Sequence, residues 1–375
     1  MQGNFIIEPR RKGKETMKKV EIHPDAVERI KKFSVNDHNL GFGKYVCPVM
    51  IVSAYDNGEW QKFDLLPYGN LSLDPCAKVF HYGQEIFEGM KVFRHPDDSI
   101  HMFRPEMNAR RFNQSAKRMA MPSLPEDMFL EACDVISAYC KNAVPRRLGE
   151  SLYLRPFMIA TEVGMGIKPA KQFLFVIIAS PSGSYFSGDS VKVYIEREDI
   201  RCAPGGVGFA KTGANYAASL SSYDKTIKLG CDQTMWLDAF EHKYIEEMSG
   251  MNFFCVMDNV LHTPKLTDTI LDGVTRKSVI DIARSENIEV VESRLSIDDV
   301  LKAIEEGRCT EAFVCGTAAV VAPVASFQDR DGRVYKVTEA QGKIGMSIRE
   351  KLIGMQSGRT EAPKGWLYKV KDVDI

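Results

Sequence analysis

The stretch Gly205-Gly206-Val207-Gly208-Phe209-Ala210-Lys211-Thr212-Gly213-Ala214-Asn215-Tyr216 carries a single charge, the amine of Lys211, among small and apolar residues. Three clustered glycines let the backbone turn tightly and approach a ligand closely. Partial desolvation of a lone lysine favours its neutral amine, the form that attacks a carbonyl carbon. Beyond it, Tyr216, Leu220, Tyr223 and Ile227 fall on one face of a helix expected over about 214–228. Two other readings compete on these residues alone. Gly205 to Thr212 differs at one position from a nucleotide-binding phosphate loop, with Ala210 where glycine should precede the lysine. Such a loop follows a buried apolar strand, and the charged run Glu196-Arg197-Glu198-Asp199-Ile200-Arg201 precedes this one. The other reading is a glycine-rich surface loop with an incidental lysine.

On the N-terminal side, residues 1–35 read as an extension, with Arg10, Arg11, Lys12, Lys14, Lys18 and Lys19 as a solvated basic tail. A strand-rich domain is expected over 36–182. It begins with Tyr45 to Val52, contains helices from Pro105 to about Ala120 and after Pro125, and ends in strands at Leu152 to Ala160 and Gln172 to Ser180. The turn formers of Pro181 to Asp189 place a linker at 183–193. A second domain is expected over 194–375, with Val191 to Ile195 alternating as a half-buried strand at its edge. Further strands are read at Thr234 to Leu237, Met251 to Met257, Thr310 to Cys315 and Val320 to Phe327, and helices at about 274–285, 297–306 and 340–354. This order is that of two α+β domains, not one regular βαβ array.

The 375 residues are 44% hydrophobic and 26% charged, with 49 Lys plus Arg against 50 Asp plus Glu, a net charge of -1. That balance fits a soluble globular protein and lacks the positive excess that phosphate-backbone binding needs, so nucleic acid is not an expected partner. The longest apolar run, Phe173 to Ala179, has the length of a strand, and neither a membrane span nor a signal segment is expected. Nine scattered cysteines with no Cys-x-x-Cys pair fit reduced thiols in the cytoplasm and no metal site.

Seven separated motifs change the odds on the lysine segment. They are Phe42-Gly43-Lys44, His81-Tyr82-Gly83-Gln84-Glu85-Ile86-Phe87-Glu88-Gly89, Tyr153-Leu154-Arg155-Pro156, the lysine segment itself, Glu246-Glu247-Met248-Ser249-Gly250-Met251-Asn252, Gly273-Val274-Thr275-Arg276 and Gly316-Thr317-Ala318-Ala319. In order and spacing, from about Phe42 to Trp366, the chain resembles the branched-chain amino-acid aminotransferases, fold-type IV enzymes that use pyridoxal 5'-phosphate. The resemblance implies an α+β fold of two domains, a smaller N-terminal α/β domain and a larger C-terminal one with a pseudo-barrel, the cofactor lying at their interface. It implies reversible amino transfer between L-leucine, L-isoleucine or L-valine and 2-oxoglutarate by a homodimer.

The same resemblance assigns residues. Lys211 holds the cofactor covalently and moves the substrate proton. Glu247 faces the ring nitrogen, and Tyr216 the phenolic oxygen. Arg111, the backbone of Val274 and Thr275 at a helix start, and Thr317 hold the phosphate; Arg110 is the adjacent rival to Arg111. Phe42, Tyr82, Phe87, Tyr153 and Tyr185 line the apolar pocket, Arg155 meets the distal carboxylate of glutamate, and Ala318 and Ala319 offer backbone to the α-carboxylate. Met165 and Ile167, with Tyr82, resemble residues lent to the partner subunit. Two features depart from the family pattern: Ala319 and Ala322 stand where mammalian relatives carry a redox Cys-x-x-Cys, and Gly250 stands where some relatives have threonine. A D-amino-acid aminotransferase or aminodeoxychorismate lyase of the same fold, and a non-catalytic small-molecule-binding protein, are the alternatives. The set Lys211, Tyr216, Glu247 and Arg111 argues against the last, since binding alone needs no proton-moving lysine.

Overall fold

The computed structural model describes residues 20–34, 40–183, 185, 190–338 and 342–373. The basic residues Arg10 to Lys19 lie outside these, as do Ser184 and residues 186–189 of the expected linker. The described part of the N-terminal extension is folded: Glu21–Ile22 (β1) is followed by Pro24–Lys31 (α1), which His23 caps by accepting the Asp25 amide at 3.2 Å. Ala26 and Ile30 of this helix are buried in the first core, so this part of the extension packs as one of the elements of that unit.

The chain divides into two compact units. In the first, Val49–Asp56 (β2), Glu59–Trp60 (β3), Asp64–Pro67 (β4), Lys78–Tyr82 (α2), Glu85–Phe87 (β5), Met90–Arg94 (β6) and Ile100–Phe103 (β7) precede two helices, Pro105–Arg118 (α3) and Glu126–Tyr139 (α4), and two long strands, Ser151–Ala160 (β8) and Phe173–Ser182 (β9). The expected strand at Tyr45 begins instead at Val49, because Pro48 has no amide hydrogen to give a ladder. Pro105 opens α3 with its fixed φ, and Glu126 and Asp127 sit in the first turn of α4, where the helix dipole favours acids. The strands run β1-β4-β2-β9-β8-β6-β7, with β5 on β8 and β3 on β2. One face of this sheet packs on α3 and α4, where Phe112, Phe129 and Phe175 meet with ring centroids 5.4–6.1 Å apart.

The second unit contains Val191–Glu196 (β10), Gly213–Ala217 (α5), Leu220–Lys228 (α6), Gln233–Leu237 (β11), Ile245–Met248 (β12), Asn252–Met257 (β13), Val260–Pro264 (β14), Val274–Ser285 (α7), Val290–Ser293 (β15), Ile297–Glu305 (α8), Cys309–Gly316 (β16), Val320–Gln328 (β17), Val334–Lys336 (β18) and Lys343–Gln356 (α9). Its nine-stranded sheet runs β12-β11-β10-β17-β16-β13-β14-β15, with β18 beside β17. A Met248–Met251 bridge joins the β12 edge to the start of β13, so the sheet curls as a half-barrel. Strand β10 is more deeply buried than its alternation implies, with only Lys192 exposed.

Two expectations differ from this architecture. The helix after the lysine is broken at Ala218-Ser219, where the amide and hydroxyl of Ser219 both donate to the Tyr216 carbonyl, at 3.0 and 2.7 Å. Leu220, Tyr223 and Ile227 then lie on an exposed face of α6, not in a core. The last stretch of the chain does not stay with the second unit. Residues 363–375 group with the first, and Leu367–Lys369 (β19) extends its sheet beside β7, with Trp366 edge-on to Phe103 at 5.6 Å. The two units are therefore near equal in length.

Candidate active site

In the second unit the glycine-rich segment is pinned from both sides. Gly205 donates to Asp268 Oδ2 at 2.6 Å, and Asn215 Nδ2 donates back to the Val207 and Ala210 carbonyls at 2.9 and 2.8 Å. Gly208 lies so close to Thr269 that a Cβ there would stand 2.6 Å from its Cα, so only glycine fits. This holds Lys211, half-buried, with Nζ donating to the Tyr216 hydroxyl at 2.8 Å. The Tyr216 ring in turn packs on Gly250, whose φ is +94° and where a Cβ would stand 3.3 Å from the ring edge. A threonine at this position would be strained and would press on the tyrosine.

Glu247 is not the solvated turn residue that its neighbourhood of polar residues allows. It lies on β12, 2% exposed, with Oε1 3.1 Å from Arg201 Nη2 and Oε2 accepting the Leu271 amide at 2.9 Å. Burial weighs against the Arg201 charge, but its charge partners, the Glu247 carboxylate first among them, more than offset it, and the guanidinium is held more firmly than usual. Arg201 also donates to the carbonyls of Gly208 and Thr269, at 3.1 and 2.6 Å, so one arginine ties the lysine loop to the carboxylate.

Helix α7 starts at Val274 as its capping glycine dictates. Gly273 leaves no room for a Cβ against Asn252 Oδ1, and Asn252 Nδ2 donates to the Leu271 carbonyl at 3.0 Å. Val274 and Thr275 are both buried in the first turn, where amides have no helical partner. Thr317, Ala318 and Ala319 form the turn between Gly316 and its cross-strand partner Val320. Val320 has a φ of +63°, a conformation that costs a β-branched residue about 1–3 kcal/mol. Gly316 packs against Met251, the neighbour of Gly250. A continuous series of contacts thus runs from Lys211 through Tyr216, Gly250 and Met251 to the 317–319 turn.

The first unit brings together a second group, on the sheet face away from α3 and α4. Successive same-face positions of β8 carry Tyr153 and Arg155. Phe42 meets Tyr153 edge-on at 4.9 Å, and the Arg155 guanidinium lies over the Phe87 ring at 4.7 Å and donates to the Tyr153 hydroxyl at 3.1 Å. Arg155 Nε is buried with no hydrogen-bond partner among the described residues. Gly89 is required here, because any Cβ would collide with the Tyr153 hydroxyl. The hydroxyl of Tyr82 donates to the Met165 carbonyl, and both residues are exposed, as is Ile167. Tyr185 is likewise exposed.

Arg111 is buried and forked onto Glu88, with Nε and Nη2 donating at 2.7 and 2.8 Å, while Asn108 and the Gly89 amide also serve that carboxylate. Its neighbour Arg110 is exposed beside Glu126 at 3.5 Å.

Three residues without a sequence signal join these groups: Arg201, Glu246 and Lys91. Lys91 stands directly across from Tyr153 on β6, is 4% exposed, and burial lowers its ammonium pKa to about 8. The folded state therefore binds this proton less tightly than the unfolded chain does, a cost fully present below pH 8 and relieved as pH rises toward the unfolded value. Wild type is expected to gain stability relative to Lys91→Met as pH rises from 8 to 10; thermal melts of both across pH 6–10 check this, and a difference in melting temperature that does not change with pH contradicts it.

A family model described as amino-transferase class IV matches residues 85–327. This chain belongs to the class IV aminotransferase family. The aminotransferase is 45% identical over 334 residues to a probable branched-chain-amino-acid aminotransferase of Streptomyces coelicolor, covering 88% of this chain and 92% of that one. It is 44% identical over 337 residues to branched-chain-amino-acid transaminase 1 of Bacillus subtilis, with 88% and 94% covered. Among solved structures, the branched-chain amino acid aminotransferase of Escherichia coli superposes with a TM-score of 0.71 at 30% identity, over 85% of this chain and 99% of that one. The branched-chain amino acid aminotransferase of T.th., solved in complex with N-(5'-phosphopyridoxyl)-L-glutamate, gives 0.71 at 26% identity, over 85% and 98%.

Proposed function

We propose that this aminotransferase uses pyridoxal 5'-phosphate to move the amino group between L-leucine, L-isoleucine or L-valine and 2-oxoglutarate. The observation that carries the substrate choice is the aromatic face of the first unit with one guanidinium laid over it. Phe42, Phe87 and Tyr153 suit a branched aliphatic chain, and Arg155 suits a distal carboxylate. The relatives named for branched-chain amino acids, and the phosphopyridoxyl and pyridoxamine 5'-phosphate ligands of the T.th. structures, support the same reading.

The residues of the second unit fit the cofactor. A half-buried amine beside a phenol, a buried carboxylate fixed by an arginine, and open amides at a helix start are the groups an aldehyde, a ring nitrogen and a phosphate require. Pyridoxal phosphate, when bound, supplies a carbonyl for the amino group and an electron sink for the charge left by deprotonation. Lys211 Nζ would take the proton from the substrate Cα and pass it to the carbon that was the cofactor's aldehyde, and the Tyr216 hydroxyl holds that amine in place. Arg201 and the Leu271 amide hold both Glu247 oxygens, which would fix its carboxylate for the ring nitrogen. The amides of Val274 and Thr275, with the Thr317 hydroxyl, hold the phosphate. Arg111, its fork held by Glu88, is the arginine that the family resemblance assigns to the phosphate. Ala318 and Ala319 give their amides to the α-carboxylate, and Gly250 leaves space beside Tyr216.

The working unit in this reading is a homodimer. The exposed pair Tyr82 and Met165, with Ile167, reaches the partner's pocket, and the apolar face of α6 is suited to burial against a second subunit. The nine cysteines form no disulfide, which suits the cytoplasm.

The test is amino transfer from L-leucine to 2-oxoglutarate, read as L-glutamate formed, with D-leucine as the control. Turnover with the L-isomer alone is expected; turnover with the D-isomer alone contradicts the reading. Arg155→Leu is expected to lower kcat/KM for L-glutamate by about 10²-fold, the worth of a charge-assisted hydrogen bond, and to change the leucine half-reaction only a few-fold. Equal losses on both substrates would remove Arg155 from the discriminating role.

A further inference from the structure

Glu246 and Glu247 follow one another on a fully buried strand, and only the second is used by the reaction as described. Glu246 is 7% exposed; its Oε1 accepts the Thr269 hydroxyl at 2.6 Å, and its Oε2 is buried with no hydrogen-bond partner among the described residues. Arg201 Nε is likewise buried without a hydrogen-bond partner among the described residues. Thr269 links the two residues, because its carbonyl accepts Arg201 Nη2 at 2.6 Å while its hydroxyl serves Glu246. The arginine that binds Glu247 thus lies one residue away from a second carboxyl whose spare oxygen is unsatisfied. An ionised carboxylate with a bare buried oxygen is costly, whereas a neutral acid carries its proton there.

We infer that Glu246 is a positioning residue for Glu247: as the neutral acid it leaves Arg201 to Glu247, and on ionising it brings a second carboxylate to the same arginine. The charge that Glu247 presents to the cofactor ring is thereby set by pH through a residue that does not touch the cofactor. The inference rests on the proposed function, which places Glu247 opposite the ring nitrogen.

Burial pushes the Glu246 carboxyl up to about 7, with the Thr269 hydroxyl and Arg201 pulling down and Glu247 and Asp238 pushing up. Of these, Asp238 is itself held ionised by the amides of Tyr244, Glu241, Lys243 and Phe240 against its own burial. Cys202 also senses Glu246, and burial pushes its thiol up to about 12, so it stays neutral across the relevant range. A carboxyl raised in the folded state contributes stability fully present below its unfolded pKa of 4.5 and lost as pH rises through about 7.

The experiment compares wild type with Glu246→Gln, both without cofactor and loaded with pyridoxal phosphate. Without cofactor, the melting temperature of wild type is expected to fall relative to the variant between pH 5 and 8, by on the order of 2–4 °C. In the loaded protein, the visible absorption of wild type is expected to show an inflection near pH 7 that Glu246→Gln lacks. Thr269→Val, which removes the hydroxyl that favours the ionised form, is expected to move that inflection to higher pH, and provides the test if the glutamine variant does not fold. Identical pH profiles for wild type and Glu246→Gln, or an unmoved inflection in Thr269→Val, overturn the inference alone. A wild type that takes up no pyridoxal phosphate overturns the proposed function, and this role with it.

Discussion

Lys211→Ala is expected to fold with an unchanged melting profile in the absence of cofactor and to lose amino transfer by at least about 10⁴-fold. The size follows from two losses at one atom. Nζ both anchors the cofactor and carries the substrate proton, and its half-buried position beside Tyr216 leaves no second amine in that series of contacts to replace it. The fold survives because the loop is held by Asp268, Asn215 and the close packing of Gly208 on Thr269, none of which uses the lysine side chain. Single-turnover rates with L-leucine, together with thermal melts, check both halves. A variant that transfers amino groups at near wild-type rate contradicts the assignment.

Glu247→Gln is expected to lower kcat by about 10²–10³-fold, the loss seen when one preorganised electrostatic group is removed from a reacting centre. It also removes the charge that Arg201 answers, and leaving a buried guanidinium without its carboxylate costs about 3 kcal/mol of stability. The two effects separate experimentally. The first appears as a fall in kcat at saturating substrate, the second as a lower melting temperature of the cofactor-free protein. A stable variant with wild-type kcat would mean that Glu247 plays neither part.

How much of this was legible in the sequence differs from residue to residue. The lysine segment stood out because one charge sat among glycines and apolar residues, and the start of α7 was readable from Gly273 and the helical spacing after it. Glu247 was assigned only through the family resemblance; the polar residues around it gave no sign that its strand is buried on both faces. Arg201 was hidden at the end of a run of charges, and what distinguishes it is a set of contacts made 7 to 68 residues away. Lys91 and Glu246 carried no signal, since the position of Lys91 depends on strand register and that of Glu246 on Thr269. The break in the helix after Tyr216 turned on one serine hydroxyl competing with the backbone. The return of residues 363–375 to the first unit is a tertiary choice that local pattern does not encode, beyond the burial of Trp366. The folded Glu21–Lys31 segment was obscured by the basic run before it.

Whether Lys211 supports amino transfer from a branched-chain L-amino acid is tested most directly by the visible spectrum of the protein loaded with pyridoxal phosphate, before and after L-leucine is added without any 2-oxo acid. The cofactor's visible band is expected to be lost in one turnover, with one equivalent of the branched 2-oxo acid formed per site, and 2-oxoglutarate is expected to restore it. A band unmoved by L-leucine but lost with D-amino acids, or no band at all in the loaded protein, would contradict it.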